Sequence, residues 1–509
     1  MNVIYSLSHL TDWIGFAKEM ESRLAWKPAY WLTSQHTDNL VKDNFPECAR
    51  HRFLEIIRGV SPSGYDLYSP NIIDATVIQQ YAFEMDQAIK MMDRLDSGDA
   101  FSYNERKRYF IKILNYALNV YDTFKPEIAV FTETPHHATQ YILYAVLKKK
   151  GVKTVMFKPV FIFDMRLLIY NCVEDDPVAT AGDFTFQSEP DLHVVEQITA
   201  YVKRLKSDYS VGAPDYMKQA IRTSSHSRAM FKTALKLLNI SNWKKLVDPA
   251  SSTNILKLKG RSLEESSPSR LQLYWIKVKG SIHKRRLRKL YHKLVTGSPD
   301  LHKQFVFVPL QYQPERTSSP DGGAYVDQFL MINLLRKQLP PHVAIFVKEH
   351  SAQFHPRMDG HLGRFEFNYR DIAALPNVYL ISETYSSFDL IDKCVCLATL
   401  TGTAGMEAVA RRKPVLVFGP GCWYRSLPGV FYTYDSLSLQ AAWSEIERGY
   451  HFNDDDVFNF LKKIFRVSFS AKLTPQYPVK ISSEENIWNL VTAVQRYALE
   501  VMNRTPGGN

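Results

Sequence analysis

Residues Lys125–Phe157 read KPEIAVFTETPHHATQYILYAVLKKKGVKTVMF. The apolar run Ile128–Thr132 has the length and composition of a buried strand and ends in a polar turn. Helical spacing covers His137–Lys149, Gly151 ends it, and Thr154–Phe157 is strand again. Strand, helix and strand in that order form the unit of a parallel sheet with right-handed crossovers, so the fold class is α/β.

The pattern extends in both directions. Toward the start, NVIYSL (Asn2–Leu7) and AYWLT (Ala29–Thr33) are strands, separated by a helical stretch entered near Thr11 or Asp12. Longer helical stretches follow at Val77–Leu95 and Tyr103–Thr123. Alternation resumes past residue 300 with QFVFVPL, HVAIFVKEH, NVYLIS, CVCLATL and PVLVFG as strands, and YVDQFLMINLLRKQL and GMEAVARR among the helices between them. The expected organisation is an N-terminal Rossmann-like domain over 1–190, a basic helical insert over 191–300, and a second Rossmann-like domain over 301–480. A last helix near Glu485–Val501 and a disordered tail fill 481–509. Two doubly wound domains then face a cleft, where ligands bind at the carboxyl ends of the strands.

Composition excludes several classes. A 509-residue chain with 45% hydrophobic residues reads as globular, and five scattered cysteines make no disulfide framework. Cys394 and Cys396 alternate in a strand as apolar fillers, and no second Cys/His pair at ligand spacing suggests zinc. The start has no basic region and Asp12 interrupts its apolar run, so no signal segment is expected. Apolar runs are strand-sized, which points to a cytoplasmic protein without a membrane span.

The net charge of +11 is concentrated in one place: Arg222–Lys293 holds 18 Lys/Arg against 3 Asp/Glu. Within it Leu287, Leu290, Tyr291 and Leu294 share one helix face, with Lys and Arg on the other. A basic amphipathic helix suits an anionic membrane surface, so residues 284–294 are a possible contact on the inner face of the cytoplasmic membrane. The bland alternative is a helix packed on its own domains with a solvated basic side. No RNA-binding motif accompanies the charge, so nucleic acid is not an expected partner.

Three segments at strand ends can carry chemistry. After CVCLATL, the turn Thr401-Gly402-Thr403-Ala404-Gly405 opens a helix containing Glu407. Backbone N–H groups at a helix start favour an anion, small residues admit a phosphate, and Glu407 can accept from ribose hydroxyls. The alternative is a tight turn with Glu407 merely complementing the helix dipole. This is neither a P-loop nor a dinucleotide fingerprint, which argues against ATPase and dehydrogenase readings. The strand Val343–Val347 delivers Lys348 and His350, which can offset a phosphate leaving group without a metal. The strand Phe305–Leu310 runs into a long polar loop with Gln311, Gln313, Glu315, Asp321 and Gly322-Gly323. In the N-terminal half, Glu133, His136 and His137 supply a candidate general base for an acceptor hydroxyl, or only a helix start. Asp454-Asp455-Asp456 precedes a helix and is read as its cap, and Glu174–Pro177 as a turn.

FVPLQYQPE, GGAYVDQ, FVKEH and TGTAGMEA with KPVLVFG together resemble bacterial capsular-polysaccharide synthesis proteins, a family similar to Kdo-transferase-type glycosyltransferases of GT-B fold. The resemblance spans roughly Phe305–Tyr424. It implies that Lys348, His350 and Thr401, Gly402 and Thr403 contact the nucleotide phosphate, although Ser351 stands where the family has proline. The expected activity is transfer of Kdo or another acidic sugar from a CMP-activated donor to a surface polysaccharide or glycolipid, with no cofactor or metal required. A polyol-phosphate transferase, a sugar-nucleotide epimerase and a non-catalytic scaffold of polysaccharide assembly are the alternatives.

Overall fold

The computed structural model describes residues 1–207 and 255–502, apart from 95, 97–100, 161, 163–165, 183, 188, 260–261, 267–269, 296, 357, 454, 476 and 478. The opening stretch forms the expected unit: β4 (Ile128–Phe131), a helix over Ala138–Lys149, and β5 (Lys153–Val160). All four β4 residues are buried, as a strand covered on both faces requires. Gly151 takes a left-handed φ of 78°, which a β-carbon would oppose.

Around this unit the first sheet adds β1 (Asn2–Ser6), β2 (Lys27–Thr33), β3 (Ala49–Arg52) and β6 (Arg166–Tyr170), in the order β3-β2-β1-β4-β5-β6. Every pairing is parallel except β5 with β6. The second sheet comprises β9 (Phe305–Pro309), β10 (Ala344–Lys348), β11 (Val378–Ile381), β12 (Cys396–Thr399), β13 (Val415–Val417) and β14 (Val430–Tyr432). Its order, β11-β10-β9-β12-β13-β14, repeats the first, and all its pairings are parallel. Two sheets of Rossmann order in one chain give the GT-B-like plan.

Several elements differ from expectation. The stretch Val77–Leu95 breaks at Tyr81 into helices Ala75–Gln80 and Ala82–Met91, because Tyr81 leaves helical geometry at φ −109° and ψ 17°. Within the insert, expected to be helical, β7 (Ile255–Lys259) and β8 (Ser262–Ser266) form an antiparallel hairpin. Most of the basic insert, 208–254, and the tail 503–509 lie outside the described residues.

The last helix, Ser483–Glu500, returns to the first domain. There it packs on the helix Asp12–Leu24, and Asn486 Nδ2 donates to Asp12 Oδ2 at 2.8 Å. A continuous apolar core runs from Trp13 and Phe16 through Ile198 and Leu205 of the helix Leu192–Leu205 to Met406 and Val409 beneath the second sheet. The halves therefore share one core behind the cleft. Among the described residues no helix is long and apolar enough to cross a membrane.

Candidate active site between the two sheets

Each of the three candidate segments leaves the carboxyl end of a second-sheet strand, and Glu133–His137 leaves the carboxyl end of β4. The two edges meet. Arg316 forms an ion pair with Glu133, Lys158 Nζ lies 3.8 Å from Asp321 Oδ2, and Arg94 Nη1 donates to the His136 carbonyl at 2.7 Å. Arg94 also donates to the Ser319 carbonyl, and Gln87 Nε2 to that of Gly323 at 3.0 Å. Arg94, Lys158 and Arg316 were not singled out from sequence. No local motif marks them; only the facing of two edges gives them a role.

On the first edge the three candidates separate by chemistry. Glu133 is engaged by Arg316. His137 packs edge-on against Phe53 with ring centroids 4.3 Å apart and buries Nδ1, and burial takes its pKa down to about 3. So weak a base is poorly matched to taking a proton at neutral pH. His136 Nδ1 lies 3.1 Å from the Thr134 carbonyl, which can only accept, so that nitrogen carries the proton and Nε2 is left to receive one. Burial lowers the His136 pKa, with Glu133 opposing, which keeps the ring neutral.

The second edge is arranged the other way. His350 Nδ1 accepts from the Ala352 N–H at 3.1 Å, so its Nε2 carries the proton and donates. Burial lowers its pKa, while Glu349 and Glu315 oppose. It therefore offers a hydrogen bond without a charge. The charge belongs to Lys348, whose Nζ donates to Ser387 Oγ at 2.6 Å. Burial pulls this amine down to about 8 against the fields of Glu383 and Glu407. Glu315 lies in the field of both His350 and Arg94.

The turn Thr401–Gly405 is more committed to its own domain than its composition suggests. In the amide orientation that satisfies both ends, Gln311 Oε1 accepts from the N–H groups of Thr401 and Gly402 at 3.2 and 2.6 Å. Thr401 Oγ1 donates to the Thr317 carbonyl at 2.8 Å. A β-carbon on Gly402 would meet Thr399 Oγ1 at 2.9 Å and the Gln311 amide at 3.1 Å, and one on Gly405 would strike the Tyr424 hydroxyl. Both glycines are thus closely packed against their own domain. Thr403 and Ala404 remain half-buried at the start of the helix Ala404–Ala410, with no side chain capping it. Glu407 is buried one turn further on, in the fields of Lys348 and Tyr201.

Gln313 is likewise structural. Its Nε2 donates to the Val326 carbonyl at 2.6 Å, its Oε1 accepts from Arg364, and its N–H donates to Gln353 Oε1 at 3.1 Å. Both polar atoms of its side chain are thus engaged within its own domain. Arg364 also pairs with buried Glu349 at 2.9 Å, which fixes the loop that carries His350.

Other residues weighed from sequence find plain roles. Cys394 and Cys396 are buried, and among the described residues no group of three or more His, Cys, Asp or Glu is placed to hold a metal. Asp455 occupies the cap position of the helix Asp456–Arg466 without a side-chain cap bond, while Asp456 Oδ2 accepts from the Asn453 N–H at 3.0 Å. Asp454 lies outside the described residues. Asp176 caps the short helix Pro177–Ala181, accepting from Val178 and Ala179.

Against known proteins, residues 269–455 match the family described as capsule polysaccharide biosynthesis protein. Among curated proteins none matches the sequence. Similar solved structures include KpsC of Thermosulfurimonas dismutans, a beta Kdo 2,7 transferase, at 12% identity over 77% of this chain and 97% of that one, with a TM-score of 0.28. Another is UDP-GlcNAc 2-epimerase of Neisseria meningitidis bound to UDP-GlcNAc, at 10% identity over 98% of this chain and 100% of that one, with a TM-score of 0.22. The family match contains every second-sheet strand and the segments that bring Lys348, His350, Thr403 and Glu407 to its edge. Over residues 269–455, a little over a third of its length, the chain is similar to the capsule polysaccharide biosynthesis protein family.

Proposed function

We propose that the protein is a glycosyltransferase of capsule or surface-glycan synthesis that works in the cleft between its two sheet edges. One observation carries this: the facing edges present opposite proton chemistry, with a receiving nitrogen on His136 and a donating nitrogen on His350 beside the Lys348 ammonium. His136 Nε2 takes the proton of an acceptor hydroxyl as the hydroxyl oxygen bonds to the anomeric carbon of the donor sugar. The bond from that carbon to the donor phosphate breaks. Lys348 and His350 Nε2–H then answer the charge that develops on the phosphate oxygen. Thr403 and Ala404 border the same phosphate and Glu407 accepts from the ribose.

Within this reading the donor is a CMP-activated acidic sugar, Kdo being the favoured one, and no metal is required. The acceptor is a polysaccharide or glycolipid held by the first domain. The family of residues 269–455 supports the capsule setting. The helix Arg270–Leu294 would rest on an anionic membrane surface through Arg285, Arg286 and Lys289, which are exposed. Lys284 does not share that face, since its buried ammonium donates to the carbonyls of Pro356 and Met358 at 2.8 and 2.7 Å.

Calorimetry with CMP and UDP tests the reading. CMP should bind the wild type, and Lys348→Ala should weaken it roughly tenfold or more, as expected for losing a charged hydrogen bond to phosphate. Purified protein with a CMP-sugar and acceptor should release CMP. Failure of every nucleotide to bind would overturn the proposal.

A further inference from the structure

We infer that Glu383 is a positioning residue for Lys348: clamped by the helix Arg270–Leu294, it holds the lysine as a cation at the donor edge. The inference rests on the reading of Lys348 as the phosphate contact and goes beyond it by assigning what maintains that contact.

The backbone places the two groups together. Lys348 and Ile381 are register partners at the ends of β10 and β11, and Glu383 stands just past that pair. Ser387, on the same segment, accepts the Lys348 bond. The long helix ties both strand ends, because Tyr291 Oη donates to the Ile381 carbonyl and accepts from the Glu349 N–H at 2.9 Å. From the same part of that helix Arg288 Nη2 and His292 Nε2 reach Glu383 Oε1 at 3.0 and 3.1 Å.

The clamp is lopsided. Glu383 has a side chain only 7% exposed, whereas Arg288 is 53% exposed and shares much of its field with water. Both clamp contacts fall on one carboxylate oxygen, while Oε2 is buried with no hydrogen-bond partner among the described residues. Part of the carboxylate charge is therefore left uncompensated, and Glu383 heads the charges that act on Lys348.

The groups facing Lys348 can be named from each packed element. Glu383 comes from the segment after β11 and Glu407 from the helix Ala404–Ala410, and His350 follows just past the end of β10 in the field of Lys348. Arg288 and His292 face Glu383 from the long helix. Burial alone drives the amine toward neutrality, and Glu383 is the foremost group resisting. The sign follows directly. A lysine at about 8 is charged below that pH and lost as a cation above it, so removing Glu383 lowers the pH at which the phosphate contact fails.

The test is competitive acetylation of the full-length protein from pH 6 to 10, with the Lys348 peptide followed by mass spectrometry. Wild type should show a midpoint near 8. Glu383→Gln keeps the shape without the charge and should lower that midpoint by about one pH unit, in the range for an opposite charge at close approach. Arg288→Gln removes a cation and leaves the carboxylate, so the midpoint should rise. Opposite signs separate an electrostatic role from loosened packing, which would move both variants alike. An unchanged midpoint in Glu383→Gln overturns the inference, whether or not CMP binds. CMP affinity across pH is the companion measurement, and its fall should track the Lys348 midpoint in each variant. A midpoint that shifts while CMP affinity ignores pH would uphold the pairing and refute the phosphate contact.

Discussion

Two lysines near the carboxyl ends of their strands, Lys158 in β5 and Lys348 in β10, show how far two sheets of one topology have diverged. Lys158 is buried, donates to the Gly421 carbonyl, lies 3.8 Å from Asp321, and sits 5.1 Å from the centre of the Tyr170 ring. Gly421 and Asp321 both belong to the other half of the molecule. Lys348 bonds Ser387 in its own domain and keeps an amine near the cleft whose pKa of about 8 leaves it charged at neutral pH. The first edge commits its lysine to holding the halves together, and in the proposed function the second keeps its lysine for a ligand. Strand order brings a residue to the edge; the contacts across the cleft decide what it does there.

The sharpest way to break that comparison is to remove the cation that answers both Glu133 and Asp321. Arg316→Met should destabilise the protein by about 3–5 kcal/mol, the range for stranding one member of a buried ion pair. Lys348→Met should change stability by less than about 1 kcal/mol, since an amine already pushed toward neutrality by burial loses little when replaced by an apolar isostere. Urea unfolding followed by tryptophan fluorescence measures both. If Lys348→Met proved the more damaging variant, the division between a joining edge and a binding edge would be lost.

The outer surfaces differ as well, and the second half carries the basic helix. Reversing exposed Arg285, Arg286 and Lys289 to Glu should weaken binding to anionic vesicles by about 3 kcal/mol or more, at about 1 kcal/mol for each basic residue near such a surface. Activity on a short soluble acceptor should survive, because these side chains lie away from the strand ends. Co-sedimentation with and without anionic lipid decides it, and equal sedimentation of wild type and variant would assign the charge to packing or a protein partner.

How much of this was legible in the sequence depended on range. The βαβ unit at Lys125–Phe157 and the strand-end placement of Lys348, His350 and Glu407 follow from local periodicity, which a linear reading captures. Arg94, Lys158 and Arg316 did not emerge, because their partners lie more than 150 residues away in sequence, as Ser319, Asp321 and Glu133 do. The roles of Gln311 and Gln313 escaped for the opposite reason. A polar loop beside a site looks functional in sequence, and only the atoms show that their amides are consumed by Thr401, Gly402, Val326 and Arg364. The hairpin β7–β8 was hidden by a Ser- and Glu-rich second strand that lacks apolar alternation.

The smallest expected effect bears on the glycine turn where the phosphate reading began. If Gly402 admitted a ligand to the backbone, an added methyl would cost binding; if it serves packing, the methyl costs stability. Its β-carbon would meet Thr399 Oγ1 and the Gln311 amide, both inside the domain, and its φ lies outside the left-handed region. Gly402→Ala should therefore be tolerated by the backbone and cost about 1–2 kcal/mol of stability as Gln311 shifts, the range for mild overpacking. Its effect on CMP affinity should stay below about threefold, or under roughly 0.7 kcal/mol. Thermal unfolding and calorimetry on the same preparation read the two quantities. A stable variant that no longer binds CMP would return the turn to the ligand and make both faces of Gly402 functional. An unstable variant that still binds would leave phosphate recognition to Lys348, His350 and the start of the Ala404–Ala410 helix.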